Sequence, residues 1–142
     1  MLEALSISLN PTAVLGFLLY VVGAGIFLAL FQFIYTRMTP HKEFELIREG
    51  NVAAAIALGG AIIGFAIPAS NVIAYSISLL DFVVWALIAG VVQLLAFFAA
   101  SLVLKGVSAR IQRGEVATGI YVAAVAISVG MLNAACMTPN TN

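Results

Sequence analysis

The chain has 142 residues, with six basic and six acidic side chains and a formal net charge of zero. Hydrophobic residues make up 63% of it and charged residues 8%, whereas a soluble domain is typically about half apolar and about a quarter charged. Because so few charges do not cover a water-facing surface, the composition speaks against a soluble enzyme, a nucleic-acid-binding protein and a disordered chain. It predicts a small integral membrane protein.

Four segments are long and apolar enough to cross a bilayer, whose core of about 30 Å requires roughly 20 apolar residues in a helix. They are expected to be helices, because backbone groups in hydrocarbon must bond within the segment. The first begins with Asn10 as N-cap and Pro11 in the first turn, and the second ends near Pro68. The prediction is a single all-α membrane domain, a transmembrane four-helix bundle with spans at residues 12–35, 51–70, 79–104 and 116–137.

The start of the chain carries an acid and no base, which does not fit the basic region of a secretory signal. The first span is therefore expected to remain in the mature protein.

The first connection, residues 36–50, is polar and predicts a short surface helix. Thr39 is expected as its N-cap, Pro40 as its first residue and Gly50 as the glycine that ends it. His41 lies one turn before Glu45, which predicts a solvated pair of side chains, with a pH sensor as the alternative interpretation.

The basic residues predict an orientation in the membrane. All six Lys and Arg fall in the first and third connections, and the middle connection, residues 71–78, has none. Lys and Arg are enriched in short cytoplasmic loops, so we expect these two connections in the cytoplasm and both termini outside it. Trp85 then lies near the outer end of the third span, where aromatic residues are common.

An internal repeat is visible in the sequence. Residues 47–64 align without gaps on residues 111–128, with six identities, and each copy has a short basic loop, a glycine and a helix rich in small residues. This pattern predicts two tandem helical hairpins related by a pseudo-twofold along the membrane normal. Chance similarity between two apolar segments is the alternative.

Small residues recur at intervals of three and four, which places each set on one face of its helix. Such faces let helices approach closely in lipid, either within one chain or between two subunits. The candidates are Ala53, Ala57, Gly60 and Gly64 in the second span, Ala86 and Gly90 in the third, and Gly119, Ala123, Ala126 and Gly130 in the fourth.

Few polar side chains fall within the spans. Gln93 and Gln32 are expected either to hydrogen-bond across helices or to line a pathway for a solute. Asp81 follows Ser78 in a pattern typical of a helix cap, and its alternative role is to bind an ion or a proton.

Two residues near the outer end of the fourth span are further candidates. Asn133 is expected to cap the helix or to bond across helices. Cys136, the one cysteine, is expected to be a buried reduced thiol, with a disulfide between subunits as the alternative.

No spacing of these residues predicts a nucleophile with its base or a metal site, so we expect neither an enzyme nor a cofactor.

Several short stretches over nearly the whole chain carry a family resemblance. They are residues 34–35, 39–41, 46–47, 53–54, 64, 67–68, 81, 85, 93–95 and, most specifically, 133–138. On these residues the chain resembles the YjfL-like family of small bacterial inner-membrane proteins, a family described as a domain of unknown function. The resemblance implies a multi-pass protein of the inner membrane and supplies no catalytic or binding residues.

The functional prediction is a non-enzymatic membrane scaffold or partner protein. Its expected partners are the lipid bilayer and either further copies of itself or another membrane protein, and no nucleic acid. The alternative is a subunit of a small channel or transporter, in which Asp81, Gln93 and Gln32 would line the pathway.

Overall fold

The computed structural model describes residues 9–138, which contain six helices and no strand. Four of these helices, α1, α3, α4 and α6, are long and apolar enough to cross a membrane, which confirms the predicted all-α transmembrane bundle. The other two, α2 and α5, are single short helices between them. The bounds are α1 Pro11–Met38, α2 Glu43–Arg48, α3 Val52–Tyr75, α4 Leu79–Val103, α5 Val107–Gln112 and α6 Val116–Met137.

Side-chain caps begin three of the long helices. The Asn10 side chain accepts from the Ala13 amide at 2.7 Å, with Pro11 in the first turn, as predicted. Asn51 accepts from the Ala54 amide at 2.9 Å at the start of α3. Each cap satisfies an amide that has no partner within its own helix.

The prediction that the second helix ends near Pro68 is wrong, since α3 continues through this buried proline to Tyr75. Proline has no amide to donate to the carbonyl of Gly64, one turn earlier. That carbonyl instead faces Gly130 of α6, where a Cβ would lie only 2.0 Å from its oxygen. A neighbouring helix at such close range is what makes proline tolerable inside a membrane helix.

The prediction that Thr39 caps the first short helix is also wrong. Thr39 ends α1, because its amide donates to the Tyr35 carbonyl at 3.0 Å, and α2 begins only at Glu43. The end of α2 is as predicted, since Gly50 follows it with a φ of 83° that favours glycine.

Helices α3 and α6 form the centre of the bundle and run parallel. A Cβ on Gly60 would lie 2.3 Å from the Cβ of Ala123, and one on Gly119 would lie 2.5 Å from the Ala53 carbonyl oxygen. The backbones therefore touch along the pair, and dispersion contacts hold it together.

Helix α4 packs across this pair and buries seven residues, whereas α1 lies at the edge and buries only Phe31 and Tyr35. Aromatic rings attach α1 to its neighbours. Phe31 stacks on Phe65 of α3 with ring centroids 4.6 Å apart, and Tyr35 meets Phe97 of α4 edge-on at 5.8 Å.

The order long helix, short helix, long helix occurs twice at an offset of 64 residues. The two short loops also have the same backbone geometry. The amide of Gly50 donates to the Ile47 carbonyl at 3.0 Å, and that of Gly114 donates to the Ile111 carbonyl at 2.8 Å. The repeated loop geometry agrees with the gap-free alignment of the sequence, while the packing of α1 and α4 differs.

Candidate functional site

The six basic residues of the chain lie at one end of the bundle, which we call the basic end. They are Arg37, Lys42, Arg48, Lys105, Arg110 and Arg113. Both short helices lie here, together with the linker of residues 39–42 between α1 and α2. We call the other end of the bundle the opposite end.

A histidine and a glutamate are buried together at the basic end. His41 is 3% exposed and Glu43 is 1% exposed. The imidazole Nε2 of His41 lies 3.5 Å from the carboxyl Oε1 of Glu43. The same Oε1 accepts a hydrogen bond from the Thr39 hydroxyl, and the His41 Nδ1 is hydrogen-bonded to the Ser108 hydroxyl of α5.

The chain turn at the end of α1 places these groups. Thr39 precedes a proline and is extended, so α1 ends there. The linker of residues 39–42 then brings His41 into contact with Ser108 of α5. The rings of Tyr35 and Phe97 lie on the membrane side, with the Phe97 centroid 6.3 Å from that of His41. The site is therefore closed by apolar rings toward the hydrocarbon.

Burial shifts the pKa of both groups toward their neutral forms. It lowers the pKa of His41 below its ordinary value. It raises the pKa of Glu43, and the hydrogen bond from Thr39 opposes this effect only in part. The second carboxyl oxygen of Glu43, Oε2, has no hydrogen-bond partner among the described residues.

A polar cavity of about 290 Å³ reaches this site at the basic end. His41 lines it together with Lys42, Glu45, Glu49 and Gln112, and Glu43 does not. His41 is therefore the member of the pair that lies next to the cavity. The arrangement can take up or release a proton at His41 Nε2 and Glu43 Oε1.

The prediction of a solvated pair between His41 and Glu45 is wrong. His41 is buried against Glu43, and Glu45 instead pairs with Lys42 at 3.1 Å on the surface. Glu43 was not predicted as a site residue. The available signal is the two-residue spacing of Thr39, His41 and Glu43, which are all buried, whereas Pro40 and Lys42 between them are exposed.

The polar residues singled out in the sequence lie apart from this site. Gln93 is buried near the middle of α4, and its Nε2 donates to the Ala126 carbonyl of α6 at 2.8 Å. Gln32 is half-buried in α1, and its backbone carbonyl accepts from the Thr36 hydroxyl. The Nδ2 of Asn133 lies 3.5 Å from the Ala89 carbonyl oxygen.

Asp81 lies at the opposite end, in the first turn of α4. Its amide donates to the Ser78 hydroxyl at 3.2 Å, and its carboxylate accepts from the Ile77 amide at 3.2 Å. It also lines a cavity of about 330 Å³ with Trp85 and Cys136. The prediction of a buried thiol is wrong, since Cys136 is exposed. Ala134 is the last buried residue of α6, and Cys136, two positions further, lies on another side of the helix.

The small residues mostly serve the packing inside the chain. Gly90 is half-buried, and a Cβ there would lie 3.6 Å from the Phe65 ring. The other nine are buried: Ala53, Ala57, Gly60, Gly64, Ala86, Gly119, Ala123, Ala126 and Gly130. Within residues 9–138, no three His, Cys, Asp or Glu side chains are grouped so that they could hold a metal ion.

These features define a multi-pass, all-helical membrane protein with a buried ionisable pair at its basic end. Residues 8–137 match the family model described as Domain of Unknown Function (DUF350), so the chain belongs to this family. The resemblance found in the sequence is thus confirmed.

Two curated relatives are similar to the chain. The UPF0719 inner membrane protein YjfL of Escherichia coli (strain K12) is 38% identical over 109 residues, which are 77% of this chain and 83% of the relative. The UPF0719 transmembrane protein YshE of Bacillus subtilis (strain 168) is 35% identical over 71 residues, which are 50% of this chain and 53% of the relative. No solved structure matches. The chain is a multi-pass protein of the inner membrane.

Proposed function

We propose that the chain is a non-enzymatic scaffold or partner protein of the inner membrane, and that it works as a homo-oligomer joined through α1. The observation that carries this proposal is a row of exposed residues spaced three or four apart on α1, which we call the α1 seam. Its members are Leu15, Leu18, Val22, Gly25, Ala29 and Phe33. The side-chain amides of Gln93 and Asn71 donate to backbone carbonyls of α6, which favours a structural role over catalysis.

The α1 seam has the composition of a helix contact in lipid. Lipid provides no hydrophobic drive for helix association, so contacts form where small residues let two backbones approach. Gly25 and Ala29 are one turn apart at the centre of the seam, and a Cβ on Gly25 would meet nothing within 4 Å. Glycine inside a helix costs about 1 kcal/mol relative to alanine. Gly25 lines an apolar cavity of about 210 Å³ with Phe65 and Ala66 of α3, and a helix of another copy that enters this cavity is the contact we propose for it.

A second copy of the chain is the proposed partner of the seam. Residues spaced alternately by three and four form the contact line of paired helices, and a seam of this kind is self-complementary about a twofold axis. The weak attachment of α1 to its own bundle leaves the seam free along five turns of the helix.

The proposal is tested by the mass of the protein in mild detergent or lipid nanodiscs. The wild type is expected to run as a dimer or larger, and Gly25→Leu is expected to shift it to the 14.8 kDa monomer. Ala99→Leu adds similar bulk at an exposed position of α4 and is the matched control, expected to leave the oligomer unchanged. A monomeric wild type with no co-purifying partner contradicts the proposal.

We further propose that the basic end lies in the cytoplasm, with both termini on the outer side. The support is the distribution of Lys and Arg, all six of which lie at this end.

A subunit of a channel or transporter is the second candidate. Cavities of about 330 Å³ and 290 Å³ at the two ends of the bundle, the first lined in part by Asp81 and the second by His41, favour it. Since Asp81, Gln93 and Gln32 do not share a path within one chain, the pathway would lie between copies. Ion flux into liposomes that falls in Asp81→Asn and Gln93→Leu would support this candidate, and flux that is unchanged in both would reject these residues as its lining.

A further inference from the structure

We propose that His41 and Glu43 form one proton-binding site, which exchanges its proton with water at the basic end and fixes the linker of residues 39–42 to α5. This inference goes beyond the proposed function and does not depend on the oligomeric state. It rests on the geometry of the pair, on the charges around it and on the cavity that reaches it.

The His41 ring joins two parts of the chain that are far apart in sequence. Its Nε2 faces Glu43, and its Nδ1 bonds to Ser108, 67 residues away on α5. Both nitrogens therefore have protein partners, and the protonation state of the ring sets which nitrogen donates and which accepts. A change of proton on the ring or on the carboxyl alters the contact between the linker and α5.

The charges around the pair leave a proton as the counter-charge of the carboxylate. From α1, Tyr35 packs against the Phe97 ring of α4 and Arg37 lies over the Phe33 ring, and Phe97 also lies next to the His41 ring. Lys42 of the linker and Glu45 of α2 pair with each other on the surface.

The remaining helices supply no cation either. Helices α3 and α6 have no charged residue, and Arg110 of α5 is paired with Glu115. Among the described residues, His41 is the one basic side chain within ion-pair distance of Glu43. A buried carboxylate without a counter-charge is costly, and Oε2 has no hydrogen bond to reduce that cost. Binding a proton at the pair removes this penalty.

Water reaches the pair from one direction. His41 lines the polar cavity at the basic end, while the rings of Tyr35 and Phe97 close the membrane side. The proton therefore enters and leaves through His41. The site therefore responds to the pH of the water at the basic end of the bundle.

The test uses the fact that the chain has one histidine. The protein is labelled with isotopic histidine, purified without a histidine tag, and the imidazole is followed by NMR from pH 4 to pH 9. We expect a midpoint below the ordinary value of 6.5, and a further downward displacement in Glu43→Gln, which removes the carboxylate that faces the ring. An ordinary midpoint that Glu43→Gln leaves unchanged would overturn the proposal.

Glu45→Gln is the matched control, because Glu45 is the same residue type two positions along but lies on the surface. It is expected to leave the His41 midpoint unchanged, and an effect as large as that of Glu43→Gln would show a general charge effect and contradict the site. If Glu43→Gln does not fold, infrared difference spectra of the wild type between pH 5 and pH 8 provide a second measurement. A pH-dependent band of either a buried protonated carboxyl or an imidazolium supports the site, and the absence of both overturns it.

Discussion

Amide side chains connect different helices at three depths of the bundle. Asn51 donates to the Ile111 carbonyl at 2.8 Å, Gln93 to the Ala126 carbonyl at 2.8 Å, and Asn71 to the Ala134 carbonyl at 2.7 Å. Each acceptor is a backbone oxygen, which has a second lone pair beyond its helical bond. Such bonds contribute about 0.6–2 kcal/mol each in a membrane, so they fix register rather than supply most of the stability.

The buried pair at the basic end predicts opposite pH dependences for two single variants. In Glu43→Gln, His41 is the titratable member of the pair that remains, and burial lowers its pKa. The unfolded chain then binds the proton more readily, so the free energy of unfolding is expected to rise with pH up to the ordinary histidine value of 6.5. In His41→Gln only Glu43 titrates, and burial raises its pKa, so stability is expected to fall as pH rises above 4.5. Thermal unfolding in detergent from pH 4 to pH 8 measures both slopes.

Each unit of pKa difference between the folded and unfolded states changes the folding equilibrium about tenfold. Slopes of the same sign in the two variants would show that the pair is not buried in the way described.

At the scale of helices, the close pairing of α3 and α6 predicts unequal effects at two adjacent glycines. In Gly60→Ala the new methyl would lie 2.3 Å from the Ala123 Cβ, so the helices must separate, and we expect a loss of about 1–3 kcal/mol. In Gly59→Ala the methyl meets nothing within 4 Å, and we expect no loss or a gain of up to about 1 kcal/mol. Unfolding of the two variants in the same detergent makes the comparison, and equal losses would contradict the packing.

The helices themselves could be predicted from the sequence because length and apolarity suffice to define a membrane span. The fourth span, residues 116–137, agrees with α6 residue for residue. The end of α3 could not be predicted in this way. Proline ends a helix that stands alone, but Gly130 of another helix faces the carbonyl that Pro68 leaves unpaired. That compensation lies 62 residues further along the chain.

The candidate site was harder to predict from the sequence, because it too depends on residues that are distant in the chain. His41 and Glu43 are charged or polar residues in a basic loop, and such residues are usually solvated. Their burial depends on Ser108 and Phe97, which come from other helices. The capping role of Asp81 could be predicted from the sequence, because its hydrogen bonds involve Ser78 and Ile77, which are nearby in the chain.

At the scale of the whole molecule, the charge distribution predicts the orientation, and Cys136 provides the means to test it. This single cysteine is exposed and lies at the opposite end of the bundle. With the basic end in the cytoplasm, a membrane-impermeant thiol reagent is expected to label it in intact spheroplasts. Cys136→Ser is the control for background labelling. Labelling only after the cells are lysed would show the opposite orientation, with the basic end outside the cytoplasm.

The proposed assembly of copies through the α1 seam is tested most directly by cross-linking in native membranes. Ala29→Cys is placed on the seam and Ala99→Cys on an exposed position of α4, both in a Cys136→Ser background. Under mild oxidation we predict that Ala29→Cys forms a disulfide-linked dimer of twice the chain mass, while Ala99→Cys stays monomeric. Monomers in both variants, or equal dimer formation in both, would contradict the claim.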